Sequence, residues 1–233
     1  MTSYRDQWRD GGHRIIPLVS IVANFSRPTL SDPSLLTFGE LTTFLHEFGH
    51  ALHGMLSDCS YEGLSGTNVA RDFVELPSQF MENWAFEKEW LDTWPMHHRT
   101  GEKIPAEIIG RIKDASTFNE GYACSRQLGF ALLDMAWHTI TEPFTGEIKE
   151  FEVSAMKRTE MFPVDSTLNM SCSFTHLFSG GYAAGYYGYK WAEVLDADAF
   201  RHFSESGLFN PEVADSFRKN ILEKGESEKP MDL

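Results

Sequence analysis

In the run His46-Glu47-Phe48-Gly49-His50, two imidazoles stand four residues apart with a carboxylate beside the first. On an α-helix turning about 100° per residue, the two histidines lie about 40° apart on one face. Neutral imidazole suits zinc, and two rings at this spacing can reach the same cation. Glu47 lies about 100° round from His46, near enough to touch a metal-bound water without ligating the metal. The chemistry this pattern points to is hydrolysis at one zinc ion, with Glu47 as general base.

A catalytic zinc ordinarily keeps three protein ligands and one open position. The extended pattern in which a glycine and a third histidine follow on the same segment is excluded, because His53 and Leu56 occupy those positions. The carboxylates Asp72, Glu75 and Glu82 are the remaining candidates. Glu75 and Glu82 are seven residues apart and share a helical face, so spacing does not choose between them. Glu75 comes first after the glycine-bearing loop that returns the chain, which favours it. His53 lies about 20° from His46 on the metal side, where it could hydrogen-bond behind a ligand or serve as a satisfied core histidine. Asp72 could orient a ligating histidine or cap the next helix.

These residues need a helix to stand on, and the sequence predicts one from Thr37 to about Ser57. Thr37 and Glu40 form a capping box, and Leu41, Leu45, Phe48, Leu52 and Met55 recur at helical steps. That stripe lies on the far side from His46, so one face is expected in the core and the opposite face at the metal. Residues 14–25 read as a strand, at a sheet edge because of Pro17. A loop over 58–71 with Gly63 and Gly66 precedes a second helix over about 74–91. Further helices are expected near 104–114, 118–140, 147–160, 182–203 and 211–224, with 161–181 irregular. The fold class is mainly α with a small edge β-sheet. Phe118, Leu128, Phe130, Leu132, Leu133, Met135 and Trp137 read as core of the helix that carries them.

The chain has 233 residues, 42% of them hydrophobic and 13% aromatic, enough for a sizeable core. A net charge of −14 argues against nucleic acid as a partner. No run approaches the ~18 apolar residues of a membrane span. The first residues lack the layout of a secretory signal. Cys59, Cys124 and Cys172 are odd in number and widely spaced, as expected of free thiols in a reducing cytoplasm.

The segment His46-Glu47-Phe48-Gly49-His50-Ala51-Leu52-His53-Gly54 resembles the metal helix of the thimet oligopeptidase family, which includes oligopeptidase A and peptidyl-dipeptidases. Two further blocks match in order: Ser65 to Gln79, and Phe174 and His176 through Gly180-Gly181-Tyr182 to Trp191. The resemblance implies a zincin-type helical catalytic domain hydrolysing short peptides with one zinc ion. It implies Glu75 as third ligand and Glu47 as base, and it puts His176 and Tyr182 beside the scissile bond. It also implies that Tyr186, Tyr189 and Gly66 meet substrate. Gly180, Gly181, Gly185 and Gly188 would let Tyr182 swing toward the metal, whereas the spacing of 182, 186 and 189 alone reads as helical packing. The wording around Gly66 looks more like the peptidyl-dipeptidases. The resemblance covers nearly this whole chain but only the C-terminal part of a typical member, so a catalytic-domain fragment truncated at both ends is expected. The alternative is a fragment that binds zinc but is inactive without the missing N-terminal region.

Overall fold

The computed structural model describes residues 1–163, 165 and 167–232. The chain forms two compact units, one from Met1–Lys113 with Ala192–Leu233 and the other from Asp114–Trp191. Both are mainly α-helical, and the described strands are confined to the first twenty residues.

In the first unit, β1 (Thr2–Arg5) pairs antiparallel with β4 (Leu18–Ser20), and β2 (Trp8–Asp10) with β3 (His13–Ile15). Gly11 and Gly12, at φ +54° and +87°, close the two-residue hairpin between β2 and β3. The strand expected over 14–25 is thus two short strands. Pro17 lies between them, where its missing N–H removes a ladder hydrogen bond.

Helix α1 (Phe38–Leu56) matches its prediction. The Thr37 hydroxyl accepts from the Glu40 N–H at 3.2 Å, and Glu40 accepts from the Thr37 N–H at 2.7 Å. At the other end the Arg14 guanidinium donates to the carbonyls of Met55 and Ser57, both at 3.0 Å, satisfying carbonyls a helix end leaves open.

The packing of α1 differs from the expected stripe. Its buried residues are Leu45, Gly49, Ala51, His53 and Gly54, and Met55 is exposed. The reason is what packs there: a Cβ on Gly49 would sit 2.3 Å from the Pro77 carbonyl oxygen. Burial therefore extends round α1 from Leu45 in the expected stripe to Gly49, His53 and Gly54 flanking the metal face, and small residues let the next helix press on it backbone to backbone.

That next helix is also shorter than expected. The stretch from about 74 to 91 breaks into α2 (Leu76–Glu82), a 3₁₀ turn (Asn83–Phe86) and the single turn α3 (Lys88–Leu91). Pro77 sits in the first turn of α2, where its absent N–H costs nothing. Away from α1, Phe80 and Trp84 pack with Phe203, Leu208 and Val213, and Phe80 stacks on Phe217 at 4.4 Å. The partners stand on or near α8 (Gly188–Ser206) and α9 (Pro211–Phe217). Helix α4 (Ala106–Ser116) runs from the first unit into the first residues of the second.

In the second unit α5 (Glu120–His138), α6 (Ile148–Met156) and the short α7 (Met170–Ser173) surround a core of Phe130, Ala131 and Tyr186. Leu133 belongs to the buried set, but Phe118, Leu128 and Met135 are exposed, so the apolar face of α5 is narrower than its composition suggests. Residues 182–187, expected as the start of a helix, are a loop, and α8 begins at Gly188.

Candidate metal centre

His46 and His50 turn their Nε2 atoms to one carboxylate oxygen, Glu75 Oε2, at 3.3 and 3.2 Å. Glu75 is the residue just before α2, 1% exposed, and reaches the face of α1 because Gly49 lets α2 approach. The Ser78 hydroxyl lies 2.9 Å from both the Glu75 carbonyl oxygen and Oε2, which ties the side chain to its own turn. Ligand atoms set tetrahedrally at zinc distances of about 2.0–2.1 Å are themselves about 3.3 Å apart. The two His–Glu75 separations match that figure, and all three donor atoms lie within 4.8 Å of one another, a spacing one zinc-sized cation could bridge. Two imidazoles and one carboxylate form a catalytic donor set with one position left open, unlike the four ligands of a structural site.

Glu82 takes a different part from the one weighed for it. Its Oε1 lies 2.7 Å from His46 Nδ1, on the ring edge away from Glu75. A carboxylate there fixes the tautomer that leaves Nε2 free for a metal and holds the ring in place. Burial pushes the His46 pKa down, but Glu75 and Glu82 on its two sides outweigh this and raise it to about 9. A cation entering the site takes the place of that proton. His50 Nδ1 is buried and has no hydrogen-bond partner among the described residues. The two candidate histidine ligands are therefore supported unequally.

Glu47 is not one of the clustered ligands. Its carboxylate is partly exposed and meets the amino group of Met1. His53 is 0% exposed, and neither ring nitrogen has a partner among the described residues. Burial, with a smaller contribution from His50, lowers its pKa to about 3, so it is a neutral packing side chain. Asp72 is half-buried in the turn before α2; that helix starts at Leu76, beyond the reach of an N-cap at 72. Gly66 is buried at φ +58°, a Cβ there would lie 3.0 Å from Gly54 Cα, and its N–H donates to Ser57 Oγ at 2.9 Å. It seats the loop on α1.

The other candidate residues lie in the second unit. His176 stands in a 3₁₀ turn (Thr175–Leu177), with its ring 5.2 Å from Tyr182, 5.6 Å from Tyr186 and 5.9 Å from Tyr189. Tyr182 and Tyr189 stack at 5.2 Å and are half-buried. Tyr186 is buried in the core, and its hydroxyl donates to Gln127 at 2.7 Å. The structure thus brings all four residues into one cluster.

Sequence reasoning passed over Ser78, Gln127 and the packing role of Gly49. An isolated glycine inside a strong helix is the kind of signal that could have marked Gly49. Nothing local marks the other two.

A helix bearing His-Glu-x-x-His, with a carboxylate supplied by the residue just before the following helix, is a donor arrangement of the kind zinc hydrolases use. Comparison with known proteins narrows this: the family described as Peptidase family M3 matches residues 1–233, and the chain belongs to it. It is 44% identical over 219 residues to oligopeptidase A of Escherichia coli (strain K12), covering 93% of this chain and 32% of that protein. It is 41% identical over 213 residues to a dipeptidyl carboxypeptidase of Salmonella typhimurium, covering 91% and 31%. To a probable cytosolic oligopeptidase A of Arabidopsis thaliana it is 42% identical over 223 residues, covering 93% and 32%. The chain spans about a third of the length of these curated relatives. Identity is similar to relatives of both names, so it does not divide them.

Proposed function

We propose that this chain is the catalytic centre of a zinc-dependent peptidase that hydrolyses peptide bonds in short peptides. The observation that carries the reading is the convergence of His46 Nε2, His50 Nε2 and Glu75 Oε2, on the helix that also carries Glu47 next to His46. One zinc ion held there would supply an acidified water and polarise the substrate carbonyl. Glu47 takes the proton from the attacking water and returns it to the departing amine. Tyr182, with His176 beside it, donates a hydrogen bond to the developing oxyanion. Tyr189 lines the substrate path beside Tyr182, and Tyr186 supports both from the core. Both relatives' names, oligopeptidase A and dipeptidyl carboxypeptidase, agree with a peptide substrate. Such an enzyme would work in the cytoplasm.

A fluorogenic-peptide assay tests this. Cleavage should stop with a chelator, return with zinc, and fall about 10²- to 10⁴-fold in Glu47→Gln with zinc content unchanged. Turnover that survives either treatment would sink the assignment. The short span relative to the relatives favours a second reading, in which this length of chain holds zinc without turning over peptide. One zinc per chain with no cleavage, set against cleavage by the full-length protein, would identify that case.

A further inference from the structure

Asp134 is a carboxylate with no part in the chemistry proposed above, yet it is 0% exposed, one turn before the C-terminal end of α5. A buried charge is retained only where donors compensate it. Its Oδ1 accepts the Ala184 N–H at 3.0 Å and its Oδ2 accepts the Tyr186 N–H at 3.0 Å. A third donor, His138 Nδ1, lies 2.9 Å from Oδ1 and 2.8 Å from the Asp134 carbonyl oxygen. Two of these donors belong to the loop that carries the tyrosines.

The loop has a conformation that needs holding. Tyr182 to Gly185 is a turn closed by the Gly185 N–H on the Tyr182 carbonyl at 2.8 Å. Its third residue, Ala184, has φ +55°, in the left-handed region that favours glycine or asparagine. Gly180 and Gly181, at φ +74° and +78°, occupy the same region without strain. The chain is therefore free on the His176 side of Tyr182 and strained on the other, and Asp134 grips the strained side.

We propose that Asp134 is a positioning residue for the tyrosine segment. Its carboxylate pins the amides of Ala184 and Tyr186, and so holds the stacked rings of Tyr182 and Tyr189 beside His176. Tyr182 then has a single hinge, at Gly180-Gly181, instead of moving with the whole glycine-bearing loop. This rests on the reading of Tyr182 as a catalytic donor, but the anchoring itself is tested separately.

The experiment uses the zinc-loaded full-length protein and reads amide exchange alongside kinetics. In Asp134→Asn, exchange over 182–189 should rise about tenfold or more while 38–56 is unchanged. The kcat should fall about thirtyfold, with KM moving less than threefold and zinc content intact. Adding Tyr182→Phe should cause no loss beyond that of Tyr182→Phe alone, because both changes remove the same interaction. Adding Ala184→Gly should restore about fivefold, since glycine needs no help to stay left-handed. His138→Ala keeps the carboxylate and removes one donor; it should raise exchange over 182–189 about threefold, and it decides the matter if Asp134→Asn does not fold. Unchanged exchange over 182–189, kinetic losses that multiply, or faster exchange throughout the chain would each overturn the anchor. A Tyr182→Phe variant with full kcat would instead refute the role of Tyr182 and leave the exchange result standing.

Discussion

Around His46 the side chains stand on one helix and at the start of the next, in close backbone contact; around Tyr182 they stand in and beside a loop whose amides meet a buried carboxylate. In the first region α1 repeats its geometry every turn, so two ligands at the right spacing share a face automatically. Only Glu75 has to be delivered, and bare backbone at Gly49 makes room for it. In the second region no periodicity operates between Ser179 and Gly188, and left-handed residues shape the path. The lesson is that a helix-borne site fails by steric intrusion, whereas a loop-borne site fails by loss of an anchor.

The largest expected effect breaks the helical side of that comparison. Gly49→Ala puts a Cβ against the Pro77 carbonyl, which is backbone and cannot yield. A loss of about 3 kcal/mol in a denaturant melt is expected, with zinc affinity down more than about a hundredfold as Glu75 is pushed away. A variant that binds zinc normally would mean that the α1–α2 approach does not control the third ligand.

A smaller effect tests support of a ligand from behind. Glu82→Gln keeps the size of the side chain but loses the charge at His46 Nδ1. Zinc affinity by competitive chelator titration should fall about 10- to 100-fold, with the fold intact. An equal loss from a change at His50 Nδ1, which has no such partner, would show that the support is not specific to His46.

Two buried aspartates sharpen the contrast further. Asp134 has three donors, whereas Asp196 receives one hydrogen bond, from Asn83 Nδ2 at 3.0 Å, and sits near Glu193 and Glu82. Burial raises the Asp196 pKa to about 6, against partial relief from Asn83. A carboxyl with a raised folded pKa disfavours the folded state once ionised. Its cost is absent below the unfolded value of about 4 and grows as pH rises through about 6. Asp196→Asn should therefore stabilise the protein by about 2 kcal/mol at pH 8 and leave it unchanged at pH 4. Melts at the two pH values check this, and equal shifts at both would count against the burial cost.

The smallest effect is at Ala184. Ala184→Gly, with Asp134 intact, relieves the left-handed strain and should stabilise the fold by about 0.5–1 kcal/mol with kcat unchanged. Destabilisation in a thermal melt would show that Ala184 is not strained.

Much of the first region was legible in the sequence. The limits of α1, its capping box and the pairing of His46 with His50 follow from residues within four positions of one another. The position of Glu75 was narrowed to three carboxylates by residue type and pointed out by resemblance, but geometry along the chain could not choose it. The second region was read less well. The tyrosines looked helical because 182, 186 and 189 share a helical period, yet the turn at Ala184 precedes the helix start at Gly188.

By itself, then, the sequence determined the local objects: a capped amphipathic helix, a two-histidine face on it, a proline that splits a strand, and glycines where the chain turns. Tertiary structure decided which carboxylate meets both histidines and which one meets only the far edge of His46. Glu75 and Glu82 meet opposite edges of His46, and only Glu75 is buried and also reaches His50. It alone decided that His53 is fully buried and that Asp134 meets a loop fifty residues away. The physical reason is range. Capping and periodicity act between neighbours in the chain, whereas ligand choice and loop anchoring depend on which distant backbone comes near enough to touch.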